Sequence, residues 1–351
     1  MFKIEKKSSN KHPVVLNISS IVIAVIAAGV VIALCGYNPV VVYREMIAGS
    51  LGGAYYIQET IQTAIPLIIM GLGVAVCFKM SFINIGAEGQ FCMGAVAATY
   101  IALNSNMSTP VNWFLMFLCA FLAGGAWCLI AGLLKAKWGV SETLVTLMLN
   151  YVALKLVSYL QNVLWKDPKA FGFPKIANYP KELQLPDIFG VNIGIIFAII
   201  LMVFVSFLLN NTKLGFEISI MGQNSKTARY AGINTAKVLI LASIIGGGIS
   251  GIAGVIQASG VQHTLNENIS GGMGFTAIAI AYMAKMRPRN ILIASLLFSI
   301  LIQGGNYMQI SMQIPAATAD VVQGIILLFV LGSEFFTKYK FVSTKNNKEV
   351  A

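Results

Sequence analysis

The residues with the most chemical content lie in one short stretch, Asn84-Ile85-Gly86-Ala87-Glu88-Gly89-Gln90-Phe91, which leads into a long apolar run. Glycines weaken a helix, and an ionisable group in an apolar segment is costly. Neither suits an ordinary lipid-facing helix. Glu88 falls in the first helical turn expected here, where the positive end of the helix dipole stabilises a carboxylate. Two readings follow: a helix cap held by a lysine or amide partner, or the lining of a gate or pathway for a polar solute. A related pattern returns at Asn268-Ile269-Ser270-Gly271-Gly272-Met273-Gly274-Phe275. The pathway candidates are therefore Asn84, Glu88 and Gln90, with Asn268 and Phe275 as their counterparts in the second stretch.

Other polar residues in apolar surroundings are mostly amides, among them Gln58, Gln62, Asn150, Gln257, Gln303, Asn306 and Gln309. Amides suit interhelical hydrogen bonds and equally suit passage of a neutral polar solute. Lys155 shares a helical face with Tyr151 and Tyr159. It must face a cavity, find a partner or snorkel. The chain has no GxxxxGK[ST] phosphate loop, no HExxH and no GxSxG, so it is expected not to hydrolyse ATP itself and not to be an enzyme. Glu88 and Asp320 alone are a poor provision for a proton relay. His12 and His263 are the only histidines, and Cys35, Cys77, Cys92, Cys119 and Cys128 have no metal-ligand spacing. No metal site or cofactor is expected.

The elements that must position these residues are membrane helices. Of 351 residues, 57% are hydrophobic and only 11% charged, with a mean hydropathy of +0.78. A soluble domain carries roughly a quarter charged residues. No charge occurs from Pro13 to Val42 or from Gly89 to Leu134, and about 20 apolar residues cross a bilayer. The expected fold is all-α and polytopic, with about ten transmembrane helices near 14–35, 60–78, 85–103, 111–134, 142–164, 191–210, 237–259, 269–284, 290–308 and 317–336. Residues 1–13 form a cytoplasmic N-terminal segment, 14–336 the transmembrane domain and 337–351 a cytoplasmic tail. The lysines before residue 14 resemble a signal peptide, but the run Val14–Cys35 is long for one and is taken as a retained first span.

The cations test this arrangement. With the N-terminus in the cytosol, 18 of the 24 basic residues fall on inside segments, five fall outside, and Lys155 lies within a span. The positive-inside rule thus places both termini in the cytosol of a multi-pass chain in the cell membrane. Scattered in short clusters, the same cations form no nucleic-acid-binding face. The outside loop 165–190, with Pro168, Pro174, Pro180 and Pro186, is expected to be ordered or semi-rigid rather than helical. In the cytoplasmic loop 211–236, Asn224 or Ser225 caps a short helix through Tyr230–Ala231. Gly232 stops it and Thr235 caps the next span. That helix, bearing Lys226, Arg229, Tyr230, Ala231 and Gly232, has the character of a docking element. The two related stretches open span three of the first five and span three of the second five. They cross in opposite directions, as an inverted five-plus-five repeat would.

Several segments resemble a known family. They are Phe82–Gln90 followed by Phe91-Cys92-Met93-Gly94, the run from Ser141 to Tyr151, Ala228-Arg229-Tyr230-Ala231-Gly232-Ile233-Asn234, and Gly274-Phe275-Thr276-Ala277-Ile278-Ala279. They are similar to permease subunits of bacterial ABC importers for branched-chain amino acids, simple sugars and nucleosides, and most to the nucleoside/simple-sugar branch. The likeness runs from about residue 55 to 335. It departs at Tyr282-Met283-Ala284-Lys285, where such permeases continue with small or aliphatic residues including a glycine. The resemblance implies a cytoplasmic ATP-binding subunit, a second permease subunit in a homo- or heterodimer, and an extracytoplasmic solute-binding lipoprotein. The expected function is translocation of a small polar solute, a nucleoside first and a simple sugar next, with an ion-coupled secondary transporter as the alternative.

Overall fold

In a computed structural model, the chain is described over residues 2–6, 13–170, 172–315, 317–322, 324–325, 328 and 339–343. Twelve helices follow one another among these residues: α1 Pro13–Leu34, α2 Pro39–Leu51, α3 Ala54–Lys79, α4 Ala87–Asn104, α5 Thr109–Trp138, α6 Glu142–Tyr159, α7 Gly194–Asn211, α8 Lys213–Gln223, α9 Ser225–Tyr230, α10 Thr235–Gln257, α11 Met273–Met283 and α12 Pro288–Met312. Single π-turns extend α6 to Leu164 and α10 to Gln262. The fold is all-α, and the first nine expected spans each coincide with one of these helices. Six helices among the described residues are long and apolar enough to cross a membrane. The tenth expected span, 317–336, lies largely outside the described residues.

Two expectations need correction. No helix is expected between the spans 14–35 and 60–78, yet the connecting residues contain α2, whose start is set by the Asn38 side chain accepting from the Val40 amide and by Pro39 in the first turn. It follows Val25–Leu34 at a bend of 116°. The cap of α10 is Asn234, which accepts from the Lys237 amide at 3.0 Å, not Thr235. Both side chains are good caps, and the backbone conformation selects between them.

The chain divides into two compact units, Met1–Ile57 with Ile300–Ala351, and Gln58–Ser299. In the first, Ala28, Ile32, Val42, Met46, Met308 and Ile314 form an apolar cluster, and Tyr56 meets Tyr307 edge to face at 5.1 Å. Strands β1 Phe2–Lys6 and β4 Tyr339–Ser343 pair antiparallel and bring the two tails together. In the second unit α3 and α10 are the interior helices, 78% and 72% buried, whereas α5 and α7 are buried over only 33% and 28%. Glycines permit that interior. A Cβ on Gly251 would strike the Ala120 carbonyl of α5, and one on Gly254 the Phe91 carbonyl of α4. Without water to drive helices together in lipid, such backbone approach is what holds them.

The loop 165–190 is ordered, as expected. It carries a bridge between Lys166 and Ile176, a 3₁₀ turn at Lys181–Leu183, and a short hairpin of β2 Asp187–Ile188 with β3 Val191–Asn192. Ile176, Tyr179, Leu183 and Leu185 are buried.

Candidate functional site

The stretch before α4 is a closed amide knot. Asn84 and Gln90 exchange hydrogen bonds, Asn84 Nδ2 donating to Gln90 Oε1 at 3.1 Å and Gln90 Nε2 to Asn84 Oδ1 at 2.9 Å. Both side chains are buried. Asn84 Oδ1 also accepts from the Gly86 amide at 2.9 Å. From α6, Asn150 donates to the Ile85 carbonyl at 2.8 Å and accepts from the Gly89 amide at 2.9 Å, while the Thr146 hydroxyl accepts from the Ile85 amide. Asn150 is thus an interhelical bond. Lys135 pairs with Glu142 at the start of α6, and that carboxylate also accepts from the Ile83 amide. No side-chain nitrogen or oxygen of this knot is buried without a partner, as burial requires.

Glu88 reaches elsewhere. Only 2% exposed, it accepts from the Gly272 amide at 3.1 Å and from the Gly274 amide at 2.6 Å. Gly272 is the N-cap of α11, in the left-handed region with φ +77. Gly274 is the second helical residue, where a Cβ would collide with the Glu88 backbone and carboxylate. One carboxylate therefore sits in the first turn of α4 and caps α11, with the positive ends of two helix dipoles converging on it. The two related stretches of the sequence meet at this group.

Beside it lies a cavity of about 440 Å³. Glu88 lines it from α4, α6 contributes Lys155 and Ser158, the segment before α11 contributes Glu267, Asn268 and Ser270, and α11 itself contributes Phe275. Of the pathway candidates, Glu88, Asn268 and Phe275 line this space, and Asn84 and Gln90 lie in the knot behind it. Lys155 lines this cavity too. Ser158 and Glu267 were not singled out in the sequence. The available signals were the spacing of Ser158, one turn beyond Lys155, and an acid directly preceding Asn268.

One end of the cavity is tied to the 165–190 loop. Gln161 donates to the Pro174 carbonyl at 2.8 Å and accepts from the Glu267 amide at 2.8 Å. The Thr264 hydroxyl donates to the Ile176 carbonyl, and the Tyr179 amide to the His263 carbonyl. The Tyr179 hydroxyl lies 2.6 Å from that of Thr99, and burial pushes its phenol well above the ordinary tyrosine range.

A second surface is built by α8 and α9. Asn224 caps α9, accepting from the Lys226 and Thr227 amides, and Gly232 stops it at φ +78. Ala228 alone of its six residues is buried. Lys226, Arg229, Ala231 and Gly232 are exposed, and Tyr230 is 92% exposed. Beneath, the Ser81 hydroxyl donates to the Gly222 carbonyl at 2.9 Å, joining α8 to the end of α3.

Comparison with known proteins matches residues 56–331 to the family described as branched-chain amino acid transport system / permease component. The chain is 32% identical to the glucose ABC transporter permease protein TsgB13 of Haloferax volcanii, over 92% of this chain and 88% of that protein. It is 32% identical to the guanosine ABC transporter permease protein NupP of Bacillus subtilis, over 90% of this chain and 92% of that protein. A further protein of the same bacterium, the guanosine ABC transporter permease protein NupQ, is 27% identical over 69% of this chain and 79% of its own length.

Proposed function

The chain belongs to the branched-chain amino acid transport system / permease component family, a family of ABC transporter membrane subunits and not of enzymes, and from that premise we propose that it imports a nucleoside, with a simple sugar as the second reading. The observation that carries this is the cavity between α4, α6 and α11, where Phe275 lies among carboxylate, ammonium, hydroxyl and amide groups. An aromatic wall with a few polar groups suits a small neutral solute. Glu88 holds the start of α11 in place, and Asn268 and Phe275 lie on the solute's path. Asn84 and Gln90 keep the start of α4 rigid behind it. ATP binding and hydrolysis on the partner switch the path between outward and inward exposure by stabilising one conformer over the other.

The ATP-binding subunit docks on α9 through Lys226, Arg229, Tyr230, Ala231 and Gly232. Arginine and tyrosine are enriched among residues that carry interface energy. A solute-binding lipoprotein delivers the solute at the 165–190 loop. The second permease is a different chain, a reading supported by the guanosine relatives occurring as two proteins in one bacterium. Residues 1–13 and 337–351 lie in the cytosol flanking the permease domain 14–336. The basic residues of the inside segments and the pairing of the two tails support that orientation.

The test is uptake of labelled guanosine and labelled glucose by proteoliposomes holding the complete importer. Guanosine accumulation that requires ATP hydrolysis is expected. Accumulation driven by a proton gradient without ATP would overturn the reading in favour of an ion-coupled carrier.

A further inference from the structure

We propose that Lys155, Glu267 and Phe275, with Ser158 propping the Glu267 carboxylate, form a solute-recognition site within the permease, one that binds a planar heterocycle carrying a cis-diol. This rests on the import reading above and adds selectivity to it. Lys155 and Glu267 line the same cavity, yet they make no ion pair with each other or with any described residue. Both residues are exposed, and neither charge is spent on an ion pair among the described residues. Here each is left facing the open volume.

Glu267 is half committed. Its Oε2 accepts from the Ser158 hydroxyl at 2.9 Å, and its backbone amide is fixed to Gln161 Oε1 at 2.8 Å. Its Oε1 has no donor among the described residues. A carboxylate held from one side and open on the other is placed to accept from vicinal hydroxyls, and such charge-assisted bonds are the strong ones. Lys155 Nζ supplies donors for the ring oxygen or for acceptors on a heterocycle. Phe275, 44% exposed, offers a face on which a base stacks. Stacking of this kind contributes appreciably to binding wherever a base meets an aromatic side chain. Glu88 adds a second negative charge, already spent on the Gly272 and Gly274 amides. With two carboxylates facing one ammonium, the site disfavours phosphorylated solutes.

The experiment uses the complete importer in proteoliposomes, with its solute-binding protein loaded to the same occupancy with guanosine or with 2′-deoxyguanosine, so that delivery is equal. The reading is molecules imported per ATP hydrolysed. The wild-type complex is expected to favour guanosine. Glu267→Gln should cut guanosine import about tenfold, as loss of a hydrogen bond to a charged group does, and leave 2′-deoxyguanosine within about threefold of wild type. Ser158→Ala removes the prop but keeps the carboxylate, and should preserve the preference for guanosine. Equal losses of both solutes in Glu267→Gln would mean that Glu267 only props the segment before α11, and would overturn the site. Unchanged import in Glu267→Gln and Lys155→Met, with ATP-driven uptake intact, would overturn the site and leave the import function standing. A wild-type complex that imports neither nucleoside would overturn both.

Discussion

Replacing Glu88 by glutamine tests the clamp between α4 and α11 directly. The substitution keeps volume and exchanges one carboxylate oxygen for an amino group. Both oxygens are in use, Oε1 on the Gly272 amide and Oε2 on the Gly274 amide. Whichever way the new amide turns, its NH₂ faces a backbone N–H. One charge-assisted bond is lost, about 1.5–3 kcal/mol, and a donor next to a 2% exposed side chain is left without an acceptor, about 1 kcal/mol more at the least. Taken as about 3 kcal/mol, the change raises the open population of the first turn of α11 roughly a hundredfold. Hydrogen–deuterium exchange on a peptide covering residues 268–276 should show the Gly272 and Gly274 amides exchanging about a hundredfold faster. Residues 91–104 of α4 should keep their protection, and uptake should fall with membrane abundance intact. Loss of uptake with unchanged protection would refute the clamp and mean that the carboxylate acts on the solute itself. Normal protection with normal uptake would refute any role for the group.

Other perturbations reach the remaining elements. Gly251→Leu drives a side chain into the Ala120 carbonyl, and overpacking of about 3 kcal/mol should show as loss of folded permease from the membrane, while a leucine at Gly324, whose Cβ would meet nothing, should cost much less. Aspartates at Tyr230 and Ala231 should leave insertion unchanged and abolish co-purification of the ATP-binding subunit; normal stoichiometry with normal transport would move the docking contact to another cytoplasmic loop, with 285–289 the next candidate. Reporter fusions after Leu183 and after Ser225 should report outside and inside respectively, and opposite signals would reverse the orientation proposed for the middle of the chain.

Features with local causes were legible in the sequence. Apolar run length marked nine of the helices, because crossing a bilayer sets a length that any window of the chain reveals. The Asn224 cap and the Gly232 stop of α9 were readable because capping joins atoms two or three residues apart. Helix α2 went unseen although Asn38-Pro39 is a sound start, since its apolar run is short and Arg44 and Glu45 interrupt it. The motif around Glu88 was recognisable as unusual, but its partners were not. Glu88 binds amides 184 and 186 positions away, and Asn150 closes the knot from 61 and 65 positions away. Lys155 was visibly out of place in an apolar helix, yet whether it met lipid, a partner or a cavity depended on where the segment before α11 came to rest. Composition reports the cost of placing a polar group in the membrane. Only the packing of helices distant in sequence decides which group offsets that cost, because the bilayer forces each such group to find its partner within the folded protein.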